Sequence, residues 1–159
     1  MPKMSSNVAD AVNGLPADST LRHAETESDL RACYPVMRQL RPHLRDETDL
    51  IQRVLRMRHA RYCLLAAWEG DAVVALAGYR LQENLLYGSF LYVDDLVTTE
   101  LSRGSGWGAR LLDQLIHIAE QAGCAKLVLD TGLANSLAHR FYSRQGLLTG
   151  AIRFAKSLD

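Results

Sequence analysis

Apolar positions change their spacing twice along this chain, and each change marks an element. "TLRHA" (Thr20–Ala24), with Leu21 as its apolar residue, predicts a short first strand. "TESDLRACYPVMRQL" opens on a cap-like Thr or Ser and carries Leu30, Cys33, Met37 and Leu40 at helical spacing. Pro35 falls inside that pattern and predicts a kink or a late start. "DETDLIQRVLRMRHA" repeats the helical spacing with Leu50, Ile51, Val54, Leu55 and Met57. The period then shortens. "RYCLLAAWEGDAVVALAGYRLQ" is two apolar runs joined at Glu69-Gly70-Asp71, a hairpin signal, and "GSFLYVDDLVTT" (Gly88–Thr99) is a further strand rich in β-formers. Helical spacing returns at Leu111, Leu112, Leu115, Ile116 and Ala119. "AKLVLDT" reads as a buried strand, and "NSLAHRFYSRQG" as a short helix that Gly146 ends. Alternation in "AIRFAKSL" predicts a last strand.

The order is therefore strand, two helices, three strands, helix, strand, helix, strand. That is an α/β domain on one mixed sheet, not a regular βαβ repeat. Its length of 159 residues suits one domain with a substantial core. Residues 1–19, with no basic start followed by an apolar run, are expected to form a flexible leader, and 20–159 the domain. With 48% apolar and 23% charged residues the composition is ordinary for a globular protein. Lys plus Arg and Asp plus Glu are both 18, so no charge excess points to nucleic acid, and no apolar stretch is long enough to span a membrane. Cys33, Cys63 and Cys124 show neither disulfide nor metal-ligand spacing, and His23, His43, His59, His117 and His139 are scattered. No metal and a reducing, cytoplasmic setting are expected.

Between the third long strand and the following helix, Gly104, Gly106 and Gly108 crowd into five residues. Each lowers helical stability, but glycines there let backbone N–H groups approach a ligand, and helix N-termini bind anions. A P-loop fails because Gly108-Ala109-Arg110 replaces Gly-Lys-Ser/Thr. A dinucleotide fingerprint fails because the spacing is Gly-x-Gly-x-Gly and the cluster follows a late strand.

At these residues the chain resembles the GNAT superfamily of N-acetyltransferases. "RGSGWGARLL" is similar to its coenzyme A signature, Arg/Gln-x-x-Gly-x-Gly/Ala, with Arg103, Gly106 and Gly108 on the fixed positions. Downstream, Asn135, Ala138, Phe141, Tyr142 and Gly146 match a second signature, Asn-x-x-Ala-x-x-(aromatic or Leu)-Tyr-x-x-x-Gly. Trp107 departs from the usual small aliphatic, and Leu147 stands where Phe commonly follows the glycine. The stretch "DDLVTTELSRGSGWG" is also similar to the spermidine/spermine and small-amine branch.

The resemblance implies a GNAT-like mixed, mostly antiparallel sheet flanked by helices. It also implies acetyl-coenzyme A as cosubstrate and a homodimer built through the later strands. The coenzyme pyrophosphate would lie on backbone from Arg103 through Gly104, Ser105, Gly106 and Trp107 to Gly108. The pantetheine arm would pair with Leu96, Val97 and Thr98, and Asn135 would belong to the same site. One N–H of the paired strand would serve the oxyanion.

Direct acetyl transfer needs a neutral amine, and an amine of pKa about 10 is only ~0.1% neutral at pH 7. It also needs a proton for the departing thiolate. The resemblance gives Tyr142 the acid's part. For the base, "YVDDLV" offers two carboxylates. Strand alternation groups Tyr92, Asp94, Leu96 and Thr98 on one face and Leu91, Val93, Asp95 and Val97 on the apolar one. Asp94 is thus the expected base, acting through water, with Asp95 its alternative should a bulge exchange the two. The leading reading is acetylation of a primary amine on a small molecule. A protein or peptide acceptor and a non-catalytic acyl-coenzyme A sensor are its rivals. Arg38, Arg41, Arg45 and Arg53 favour an acidic acceptor, against the polyamine hint.

Overall fold

The computed structural model describes residues 19–159. The leader expected over 1–19 lies, Ser19 apart, outside the described residues. Strand β1 (Ser19–His23) is followed by helices α1 (Glu27–Leu40) and α2 (Glu47–Met57), then strands β2 (Tyr62–Glu69), β3 (Ala72–Asn84) and β4 (Gly88–Thr98). Helix α3 (Trp107–Gln121), strand β5 (Lys126–Leu129) and helix α4 (Ser136–Arg144) complete the order. The five strands lie in sequence order in one sheet. All neighbours are antiparallel except β4 and β5, which run parallel.

Local chemistry explains most boundaries. Thr26 caps α1 by accepting from the Asp29 N–H at 3.1 Å, while the Asp29 carboxylate accepts from the Thr26 N–H at 3.3 Å. Asp46 caps α2 in the same position. Pro35 does not delay the start of α1, as one of the two expected outcomes had it: the helix runs unbroken from Glu27 to Leu40 with Pro35 inside it. Cys33, Val36 and Met37 are buried around it, and their packing offsets a missing hydrogen bond costing about 3 kcal/mol. Gly70, at φ 61°, and Asp71 make the two-residue turn between β2 and β3.

β2 and most of β3 are buried on both faces, which is why they read as continuous apolar runs. Helices α1 and α2 cover one face over Leu64, Ala66, Trp68 and Leu76. Helix α3 covers the other over Leu65, Ala67, Ala75 and Ala77. Among the described residues no helix is long and apolar enough to cross a membrane.

Two expectations at the C-terminal end are corrected. β5 is half-buried rather than buried, because it stands at the open end of the sheet. No strand forms over Ala151–Leu158: the segment has no regular structure, and Ile152 and Phe154 are 67% and 91% exposed. Alternation makes a strand only where an edge pairs with it, and the segment is instead tethered by a side chain, as described below.

Gly78 on β3 is required by close approach. A Cβ there would overlap the Tyr62 hydroxyl and lie 2.5 Å from Asp95 Oδ2. Gly78→Ala should destabilise the fold by roughly 2–5 kcal/mol, from overpacking and a lost buried hydrogen bond. For a domain of this size that lowers Tm by on the order of 10 °C. Scanning calorimetry of the variant measures it.

Candidate active site

β4 and β5 pair only from Phe90–Lys126 to Val93–Leu129, and beyond that they part. The cause is a bulge. The β3–β4 register shifts between Gly78, opposite Asp95, and Tyr79, opposite Val93, leaving Asp94 extra. The Thr99 N–H donates to the Val74 carbonyl at 2.9 Å, so alternation turns the backbone groups of Thr98 and Leu96 away from β3, toward the gap. The unpaired backbone groups of Leu96 and Thr98 along this edge are a template for an extended amide-bearing ligand.

At the far end of that edge, one turn of 3₁₀ helix (Glu100–Ser102) leads into the glycine cluster. Gly104 and Gly106 have φ of 79° and 87°, and Gly106 caps α3 without a side chain. The first N–H groups of the helix, at Trp107, Gly108 and Ala109, have no acceptor among the described residues. A Cβ on Gly104 or Gly106 would meet open space, so these glycines serve backbone conformation and leave the approach clear. Gly108 differs: its Cβ would sit 3.3 Å from the Phe141 ring, so it seats α4 against α3. Arg103 is exposed. Ser105 N–H donates to the Ser102 carbonyl at 3.2 Å. Trp107 is buried, with Nε1 donating to Glu69 Oε1 at 3.3 Å, so only its backbone faces the cradle.

The bulge also changes the faces of β4. Asp94 and Asp95 both meet partners on the α1–α2 side, and Val97 joins that side's core while Leu96 packs with the α3 side. The expected grouping of Asp95 and Val97 with Leu91 and Val93 is thereby corrected: one extra residue inverts alternation beyond it. Both carboxylates are engaged. Asp94 takes a bidentate pair from Arg80, Nη2 to Oδ1 at 2.6 Å and Nε to Oδ2 at 3.0 Å. Asp95 accepts from Arg41 Nε at 2.9 Å and from the Tyr62 hydroxyl at 2.7 Å. Burial, reinforced by Asp95, pushes the Tyr62 phenol well above its ordinary value, so it stays a donor.

Beside the bulge lies a cavity of about 720 Å³, walled by Arg41, Arg80, Tyr92, Asp94, Asp130 and Arg153 among others. Asp130 immediately follows the last residue of β5 and so stands beside Asp94 where the strands part. Its Oδ2 takes the Tyr92 hydroxyl and the Arg153 guanidinium, and its Oδ1 has no partner among the described residues. Burial and then the Asp130 hydrogen bond push the Tyr92 phenol up to about 12. Arg153 is the tether that holds the C-terminal segment over the cavity.

The chain matches the acetyltransferase (GNAT) family over residues 24–147. It belongs to that family. The match spans the capped helices, the bulged strand, the glycine cradle and α4, which makes the protein an acyltransferase that uses acetyl-coenzyme A. The chain is similar to an uncharacterised N-acetyltransferase, YhdJ, of Bacillus subtilis, at 33% identity over 77% of this chain and 87% of that protein. It is also similar to an aminoalkylphosphonate N-acetyltransferase of Salmonella typhimurium, at 32% identity over 87% and 90% of the two chains. The fold is shared with an acetyltransferase of Trypanosoma brucei, with a TM-score of 0.76 and 23% identity over 89% of this chain and 100% of that one.

In this acetyltransferase the α3 cradle and the free β4 edge fit the two halves of coenzyme A. Uncommitted N–H groups at a helix N-terminus suit a pyrophosphate, and open strand backbone suits the pantetheine amides. Tyr142 lies on α4, its ring tilted against Phe141 with centroids 5.3 Å apart. Burial alone pushes its phenol above the ordinary value of 10, and no hydrogen bond occupies the hydroxyl among the described residues. Asn135 accepts from the Ala138 N–H at 3.2 Å, so its side chain caps α4.

Of the arginines expected to meet the acceptor, only Arg41 lines the cavity. Arg45 and Arg53 pair with Asp49, and Arg38 lies 5.8 Å from the Tyr34 ring. Sequence reading missed Arg80, Asp130 and Arg153. Asp130 carried a usable signal, since an acidic residue just past a strand running parallel to its neighbour stands where such sheets place their sites.

Proposed function

We propose that this acetyltransferase acetylates the primary amine of a small molecule that also carries an anionic group, such as a phosphonate, phosphate or carboxylate. The carrying observation is the cavity wall: the Nη1 groups of Arg41, Arg80 and Arg153 have no acceptor among the described residues, while Asp94 has both oxygens engaged. Residual hydrogen-bonding capacity is therefore mostly donor, which suits an anion. The similarity to an aminoalkylphosphonate acetyltransferase supports the same class. A cavity bounded by the Arg153 tether favours a small acceptor over a protein surface.

Tyr142 supplies the proton to the leaving sulfur, the Leu96 N–H faces the developing oxyanion, and Asp130 draws the proton from the amine through water. Asp94, expected as the base, instead holds Arg80, and Asp95 anchors the bulge. The test is acetyl-coenzyme A-dependent thiol release over matched amines: aminoalkylphosphonates, amino acids, sugar-phosphate amines, polyamines and peptides. Turnover confined to polyamines or peptides overturns the acceptor class.

Acetyl-coenzyme A should raise Tm where NAD and ATP at equal concentration do little, because only preferential binding to the folded state stabilises it. At 100 times Kd the gain is about 2.7 kcal/mol. Gly106→Val, strained at positive φ, should abolish that shift; a retained shift in the folded variant moves the pyrophosphate elsewhere. We also propose a homodimer in a reducing cytoplasm. Exposed Leu148, Ile152 and Phe154 after α4, together with β5 as an end strand of the sheet, support it, and sedimentation as a monomer at micromolar concentration ends it.

A further inference from the structure

We propose that Arg41 is a positioning residue for acetyl transfer: it clamps the β4 bulge and so fixes the direction of the Leu96 N–H. The proposal rests on the acetyl-transfer reading of the cleft. A bulge places one residue outside the ladder: Asp94 has no backbone partner in β3, and the Arg80 side chain of that strand grips its carboxylate but leaves its carbonyl free. Arg41 does so from the C-cap of α1, where its own N–H is fixed to the Met37 carbonyl at 2.8 Å. From there Nη2 donates to the Asp94 carbonyl at 2.8 Å and Nε to Asp95 Oδ1 at 2.9 Å. One rigid guanidinium thus grips the backbone of one bulge residue and the side chain of the next.

The second jaw comes from two strands away. Tyr62 on β2, 4% exposed, reaches Asp95 Oδ2 at 2.7 Å across β3, and the missing side chain of Gly78 is what lets it pass. With the Asp94 carbonyl and both Asp95 carboxylate oxygens held, and Asp95 seated opposite Gly78 in the β3–β4 ladder, the swing of the peptide joining Asp95 to Leu96 is limited from both sides of the Asp95 Cα. Its N–H is the donor turned to the gap between β4 and β5. A donor preorganised toward a developing oxyanion is worth about 10²–10³ in kcat, and loosening it loses part of that.

Tyr62 makes the decisive test, because it does not line the acceptor cavity. Three variants, Arg41→Ala, Tyr62→Phe and the double, are assayed for kcat, both KM values and Tm, with an acceptor from the amine screen. Arg41→Ala should lower kcat by about 10²-fold and Tyr62→Phe by about tenfold, with the KM for acetyl-coenzyme A within about twofold. The double variant should be no slower than Arg41→Ala alone, since both act on one bulge. Methylguanidine should restore part of the Arg41→Ala rate.

A raised acceptor KM is expected of Arg41→Ala in any case, since its Nη1 group faces the acceptor cavity; that rise with unchanged kcat, and a silent Tyr62→Phe, would leave Arg41 an acceptor contact alone and overturn the proposal. Multiplying losses that track Tm, without methylguanidine rescue, would make the network structural and overturn it too. Should Arg41→Ala not fold, Tyr62→Phe alone decides, through a kcat loss at constant KM. Failure of every amine to turn over in the unaltered enzyme would overturn the acetyl-transfer reading itself, an outcome separate from either of these.

Discussion

Tyr142→Phe should lower kcat about 10²-fold and leave acetyl-coenzyme A affinity unchanged. The ring remains, so its packing against Phe141 survives; only the proton is lost. General acid catalysis contributes about 10²–10⁴-fold, and the low end applies because a thiolate leaves fairly well. Burial raises the phenol above 10 in the folded protein. A raised value keeps the donor protonated through neutral and mildly alkaline pH, so any alkaline limb from this group falls above pH 10. The variant should lack that limb. Steady-state rates from pH 7 to 11, with coenzyme binding by calorimetry, measure both effects. An intact kcat would reduce Tyr142 to a packing residue.

While the single turns of 3₁₀ helix went unread, sequence periodicity located the four α-helices and five strands of the described residues because each is built from local signals. A capping residue, a two-residue turn or a change from helical to alternating spacing marks their ends. The cradle was legible for the same reason: Gly104 and Gly106 announce positive φ, and the following apolar spacing announces the helix they precede. What failed was non-local. Whether Ala151–Leu158 forms a strand depends on a free edge elsewhere, and the alternation of the segment carries no information about that edge.

The bulge shows the limit most clearly. "YVDDLV" read by strict alternation separates the two aspartates, whereas the structure puts both on one side. The inversion originates in the neighbouring strand, where Gly78 leaves room for Tyr62 to meet Asp95. Motif spacing also could not anticipate that both carboxylates would be engaged by Arg80 and Arg41, residues 14 and 54 positions away. Asp130 enters the site only because β5 returns parallel to β4 and stops at Leu129.

Asp130→Asn should therefore change the pH dependence where Asp94→Asn does not. An ammonium acceptor with a pKa of about 10 must lose its proton before attack, and unassisted its neutral fraction rises tenfold per pH unit. With the carboxylate removed, the rate at pH 7 should fall by about 10²-fold and climb steeply with pH, closing on the unaltered enzyme as the amine itself deprotonates. Asp94→Asn frees Arg80 instead and should raise the acceptor KM while leaving the slope alone. Arg153→Ala separates charge from tether: it releases the C-terminal segment but keeps the Asp130 carboxylate, so its slope should match the unaltered enzyme. A steepened profile in Asp94→Asn with an unshifted one in Asp130→Asn would return the base to β4. In that case the bidentate grip of Arg80 has to open before the amine is deprotonated.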